Sequence, residues 1–422
     1  MKKHIKLLVV LGIILVGSFS FYLFKGYKKD ALVYENNKIK PSSSGIAMML
    51  ETSAGSGNYE MTTRSEWPTE GYVFNANLSK CENGSELSWD NENKKVLMSG
   101  NKSDKCYVYF DVYVKPQVLL ADYVKSLYTG TQGANSIYYH DASLTNGAGD
   151  NSYRYAGASD QVNNYVCFGS TTTPCPTDNL YRIIGVFGDK VKLIKYDYAS
   201  SNLLGTDGDY YDTDIPDASY YKGSLTSIDL YHWNYESTNS ETNTWSTSLL
   251  NKVNLNTNFI TNIGKEWSNK IATTTWKVGG NTYANIVELP MGEVYQNEIV
   301  NPVTTNTTDG KTDYDAKIGL MYVSDYGYAA SSTYWSCSGY NDDSTKDYRM
   351  ATTSNWMYMG LLDWTISRGA DQTNYVFGVN VDGSLYGPGA SGYHLVRPAF
   401  YLESSITYVS GDGTQSSPIR IN

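Results

Sequence analysis

Charge is scarce in this sequence. Asp, Glu, Lys and Arg supply only 18% of the 422 residues, and the acidic side chains outnumber the basic ones for a formal net charge of -10. That balance argues against nucleic acid and against anionic lipid headgroups as partners, because both select for basic faces. Histidine and cysteine are scarcer still, at four and five residues. No C-x-x-C pair occurs, and His4, His140, His232 and His394 are scattered, which makes zinc a poor explanation for these residues. Catalytic signatures are missing as well: there is no G-x-S-x-G elbow, no H-E-x-x-H and no G-x-x-x-x-G-K-[ST] loop. The run Asp207-Gly208-Asp209-Tyr210-Tyr211-Asp212-Thr213-Asp214 offers oxygen atoms but lacks the glycine and distal glutamate of an EF-hand. It reads as a solvated acidic loop, with calcium the one cofactor left open. Glu288 and Glu293 flank Pro290 as a conceivable carboxylate pair, but glycoside hydrolysis needs a through-space separation that chain spacing does not set.

What is present begins at the first residue. Met1-Lys2-Lys3-His4-Ile5-Lys6 leads into an apolar run from Leu7 to Phe24, closed by Lys25, Lys28 and Lys29. A basic start before a stretch about as long as a bilayer core is thick marks residues 1–30 as a signal-anchor or signal peptide. Cleavage after Ser20 would leave Phe21-Tyr22-Leu23-Phe24 at the mature end, so the retained single-pass membrane helix is the preferred reading, with secretion the alternative. Either way the remainder is expected outside the cytoplasm. Residues 31–44, ending in Pro41-Ser42-Ser43-Ser44, read as a juxtamembrane spacer.

Tyrosine (39), glycine (37) and tryptophan (9) are plentiful beside many Asn, Ser and Thr, a mixture suited to sheets and long ordered loops. Residues 45–115 show short alternating runs separated by Asn83-Gly84 and Ser99-Gly100, which predicts a small β-sandwich pinned by Cys81 and Cys106. Cys167 and Cys175 bracket a short Ser-Thr-Pro loop and form a second expected disulfide. Both pairs require an oxidising compartment, and other connectivities are open to five cysteines. Cys337 is left over and reads as a buried thiol.

Pro116 marks the start of a larger domain, 116–422. Its spacing predicts a helix within Gln117–Tyr128, a hairpin from Leu180 to Lys195 turning at Gly188-Asp189, and a helix near Ser246–Phe259. A second hairpin turns at Asp382-Gly383, and a last strand runs from His394 to Leu402 with Pro398 at an edge or bulge. The fold class is therefore α+β. Arg397 is expected to meet a buried carboxylate or carbonyl, and His394 to be structural.

The linear order Trp245 with Leu249-Leu250-Asn251, Ile318-Gly319-Leu320-Met321-Tyr322-Val323-Ser324, Trp335, Trp364-Thr365-Ile366-Ser367-Arg368, Val381-Asp382-Gly383 and Val396-Arg397-Pro398-Ala399-Phe400 resembles a group of uncharacterised bacterial surface domains. Their closing pattern is similar to that of C-type-lectin-like domains, including the formylglycine-generating-enzyme branch. The resemblance covers about residues 116–422 and implies a small twisted sheet displaying a large irregular loop surface. The E-P-N, Q-P-D and W-N-D tripeptides of calcium-dependent sugar sites are missing from this domain, and Cys337 stands alone where formylglycine chemistry needs two cysteines.

The aromatic loops carry the functional expectation. Tyr340, Tyr348, Trp356, Tyr358, Tyr386 and Tyr393 lie among Asn, Asp, Ser and Gly and are the candidate ligand-binding residues, since Tyr and Trp give contact area at low entropic cost and can stack on sugar rings. Trp335 and Trp364 are assigned to the core. The reading is a membrane-tethered, extracellular binding or adhesion protein, not an enzyme, that recognises a glycan or a surface protein. The alternatives are a hydrolase or sulfatase-activating-like oxidase on the same fold, and a structural subunit of a surface assembly.

Overall fold

The computed structural model describes residues 45–422, apart from 102, 115, 212–217, 226–228, 236–240, 283–285, 287–288, 303–310 and 337–350. The chain divides into two compact units, Met1–Pro116 and Gln117–Asn422. The expected N-terminal membrane helix and spacer, Cys337, Glu288, Asp212, Asp214, Tyr340 and Tyr348 lie outside the described residues. Among the described residues no helix is long and apolar enough to cross a membrane.

In the first unit the strand Ile46–Glu51 pairs on one side with Tyr59–Thr62 and on the other, in parallel, with Cys106–Val112. Tyr72–Phe74 and Lys80–Cys81 both pair with the far side of Cys106–Val112, which completes a five-stranded sheet. Alternation along the two central strands sends Met48, Leu50, Val108 and Phe110 to one face, where a separate hairpin, Glu86–Asp90 with Lys95–Ser99, supplies Leu87, Trp89 and Val96. Trp89 meets Phe110 edge-on at 5.5 Å and stacks with Phe74 at 6.3 Å. Cys81 and Cys106 sit opposite each other on paired strands, with Cα atoms 4.0 Å apart, and are joined by a disulfide. Buried Asp104 gathers the turn beneath them by accepting from the backbone of Asn83 and Ser85, and these donors outweigh burial to hold its carboxyl at about 2.

The second unit is mixed α+β and mostly sheet. Its main sheet of seven strands runs in the order Ile318–Gly319, Ala399–Tyr401, Lys190–Lys195, Leu180–Phe187, Ser152–Tyr155 and Ile137–His140, with Tyr165–Cys167 also on Leu180–Phe187. The central hairpin turns at Gly188, whose φ of 64° suits glycine, and its first strand bulges between Ile183 and Gly185. A Cβ at Gly185 would clash with the Tyr153 carbonyl oxygen, so the close approach of the neighbouring strand demands glycine there. The second disulfide, Cys167–Cys175, closes the loop that leaves this sheet. The helix Leu120–Ser126 buries Leu120, Ala121 and Val124.

Two expectations change in detail. The strand foreseen over His394–Leu402 is two strands: Tyr393–His394 pairs with Tyr231–His232, and Ala399–Tyr401 joins the main sheet. Pro398, which has no N–H to donate, separates them, and Ala399–Tyr401 is an interior strand flanked on both sides. The helix near Ser246–Phe259 spans Leu250–Phe259 with π-type turns. Asn251 donates to the Trp245 carbonyl, Asn254 to those of Leu204 and Asp207, and Asn256 to that of Ile318, so polar side chains inside the core fix its path.

Ionic groups are buried with the apolar core. Arg397 donates to Asp363 Oδ2 at 2.6 Å and to the Met357 carbonyl at 2.8 Å, the two kinds of partner expected for it. Burial pushes the Asp363 carboxyl up to about 6, against the pull of Arg397. Arg154 donates to Asp150 at 2.7 Å, while Glu298 accepts from the backbone of Val323 and Ser324 and from the Ser367 hydroxyl.

Candidate functional site

The described rings between Tyr334 and Tyr393 mostly face inward. Trp356 is 2% exposed, donates its indole N–H to the Tyr155 carbonyl at 2.8 Å and carries the Arg182 guanidinium over its face. Tyr358 is 4% exposed, with its hydroxyl on the Val381 carbonyl and its ring beneath Lys222 Nζ. Neither is open to a ligand: each spends its polar atom on a buried carbonyl and its area on the core, which corrects the expectation for both. Trp335 and Trp364 are interior as assigned, at 1% each. Trp364 stacks on buried His394 at 3.9 Å, and Tyr386, half-buried, lies nearly parallel to the same imidazole with its hydroxyl on His394 Nε2. Burial pushes the His394 ring down to about 4, so it is a neutral packing element near neutral pH.

Tyr393 is different, at 47% exposed. The short pairing of Tyr393 with His232 turns it outward, and period-two alternation sends its neighbour His394 inward to Trp364. On the surface Tyr393 stacks with Tyr211 at 4.3 Å and 11°. Tyr211 is 41% exposed and also meets His232 edge-on at 5.1 Å. Tyr235, 39% exposed, closes the group at 4.6 Å from His232. His232 itself is buried and its Nδ1 lies 2.7 Å from the Ser391 carbonyl and 3.2 Å from that of Gly392. Carbonyls only accept, so Nδ1 is the donor in these contacts. The result is three exposed tyrosines around a clamped imidazole.

Asp209 builds the floor under this patch. It accepts from the backbone N–H groups of Leu249 and Leu250 at 3.0 Å, at the start of the Leu250–Phe259 helix, and from that of Tyr235 at 3.1 Å. The buried carboxylate thus caps a helix and positions a patch tyrosine together, which gives part of the acidic run a structural role. Asp207 is held by Asn258 at 2.6 Å. Among the described residues no three His, Cys, Asp or Glu side chains converge to hold a metal. Glu293 is exposed in the first turn of the helix Met291–Tyr295.

Tyr211, His232 and Tyr235 are missing from the expected ligand-binding set because the loop that brings them to Tyr393 is far upstream. The available signal was the Asp-Tyr-Tyr step at 209–211 inside a loop too long to be a plain connection. In the first unit an open groove of about 750 Å³ runs past Tyr72, Phe74, Trp89, Lys94 and Tyr113. Comparison with protein-family models, with curated proteins and with solved structures finds no match.

Proposed function

We propose that this chain is an exported, membrane-tethered binding protein whose lectin-like unit, Gln117–Asn422, takes a neutral glycan against Tyr211, Tyr235 and Tyr393. The observation that carries the reading is the cluster of three exposed tyrosines around His232. Phenol rings combine an apolar face for sugar C–H groups with a hydroxyl for hydrogen bonding, and a preformed cluster has little side-chain entropy left to lose. A neutral ligand fits the acidic balance of the chain. Export is supported by two disulfides, one in each unit, and by the basic-then-apolar first thirty residues. The main sheet with its long peripheral loops supports the lectin-like assignment.

The test is a glycan array probed with the oxidised chain, followed by titration of Tyr211→Ala, Tyr235→Ala and Tyr393→Ala against the best glycan. Each substitution should weaken binding several-fold, as aromatic contacts of this kind are worth about 0.5–1.5 kcal/mol, with little change in thermal midpoint. Retention of no glycan, or of one whose affinity ignores all three substitutions, would overturn the proposal.

A further inference from the structure

We infer that Lys192 and Asp325 are joined by a side-chain amide, formed when Lys192 Nζ condenses with the Asp325 carboxyl and one water leaves. Lys192 lies on the central strand Lys190–Lys195 and is 0% exposed; Asp325 lies on the helix Val323–Ala329 and is 2% exposed. Nζ stands 2.5 Å from Asp325 Oδ2, although the two residues are 133 positions apart in the chain. That is shorter than the about 2.7–2.9 Å usual for an ammonium–carboxylate contact.

The amine side of the contact is lined by aromatic rings. Ring faces stand around Nζ: Tyr322 at 4.3 Å, Trp276 at 5.1 Å, Tyr401 at 5.3 Å and Phe187 at 5.9 Å. An ammonium has three N–H groups to satisfy, and among the described residues Asp325 is its one hydrogen-bond acceptor. Burial lowers the affinity of Lys192 for its proton, against the attraction of Asp325. In the inferred step that proton passes along the short contact to Oδ2, leaving an amine beside a carboxylic acid.

Both partners are held in place for attack. Asp325 Oδ2, the oxygen that takes the Lys192 proton and leaves, is positioned by the Tyr322 backbone N–H at 2.9 Å, so the negative charge that forms as nitrogen adds to Cγ gathers on Oδ1. Oδ1 faces the Arg154 guanidinium at 3.7 Å. Glu298 fixes the turn that presents Asp325 by accepting from Val323 and Ser324. The step balances without oxidant or cofactor: the Nζ–Cγ bond forms, one Cγ–O bond breaks, and the acid hydroxyl leaves with one amine hydrogen as water. Permanent juxtaposition in a packed core supplies the high effective concentration that such a condensation needs.

The test is peptide mapping of the full chain, folded, then reduced, denatured and digested with trypsin. The expected result is loss of cleavage after Lys192 and a branched peptide joining the Lys192 and Asp325 segments, lighter by one water than the sum of its parts. Lys192→Met should abolish the branched peptide, and this readout does not depend on how well the variant folds. Quantitative cleavage after Lys192 in the wild-type chain, with both segments recovered at their linear masses, would overturn the inference.

Discussion

Replacing Arg397 with Met separates the cost of an unpaired buried charge from the cost of lost packing. Arg397 and Asp363 are 3% and 1% exposed, and Met keeps much of the arginine stem's volume. Removal of one member of a buried ion pair costs about 3–5 kcal/mol, mostly because the other charge is stranded. Here the stranded group is Asp363, whose carboxyl burial already raises from 3.8 to about 6 while Arg397 pulls it down. The gap between those values is worth about 3 kcal/mol. A carboxyl raised in the folded state keeps its full stabilising effect below its unfolded value near 3.8 and loses it as pH rises through the folded value. Without Arg397 the folded value climbs further, so the variant should suffer most at pH 8 and recover on acidification. Urea unfolding at pH 8 should show a loss of about 3–5 kcal/mol against wild type. At pH 5, with Asp363 protonated, the loss should shrink to about 1–3 kcal/mol, the cost of the Met357 carbonyl left without its donor. Titration of other groups cancels in the difference between the two proteins. The double variant Arg397→Met/Asp363→Asn should lie closer to wild type at pH 8 than the single one. An equal loss at both pH values, or a double variant no better than the single, would refute the argument.

Other outcomes follow from local geometry. A Cβ at Gly280 would run into the Arg368 carbonyl oxygen, so Gly280→Ala should lower stability by about 3 kcal/mol or more, measured by denaturant midpoint, and a neutral result would contradict the backbone packing there. Cys81→Ser/Cys106→Ser opens a cross-link spanning 25 residues and should cost the first unit about 3 kcal/mol, visible as faster amide exchange across Ile46–Leu50; unchanged protection would count against it.

The parts of this fold that sequence reveals are those governed by short-range rules. Alternating residues on either side of Gly188 and Gly383 give hairpins because a positive φ is needed at each turn, and glycine supplies it. Cys81 with Cys106 and Cys167 with Cys175 were each close enough in the chain to suggest a bridge, and both bridges form. What stays hidden depends on long-range packing. The step Lys190-Val191-Lys192-Leu193 reads as one arm of a hairpin, and nothing in it reveals that aromatic rings gather around Lys192 and bury it. Trp356 and Tyr358 sit in a polar, glycine-containing stretch of the kind that forms binding loops, and only the positions of the Tyr155 and Val381 carbonyls reveal them as core. The surface patch pairs Tyr393 with a loop near residue 211, a juxtaposition set by the two-residue ladder at His232.

In the first unit, the opening strand Ile46–Glu51 runs alongside and in the same direction as the closing strand Cys106–Val112. The chain therefore enters at one end of this ladder and exits at the other. Tension applied through the two termini of the unit loads the hydrogen bonds between Ile46–Leu50 and Cys106–Phe110 all at once, as a shear, where an antiparallel pair held by adjacent ends would unzip bond by bond.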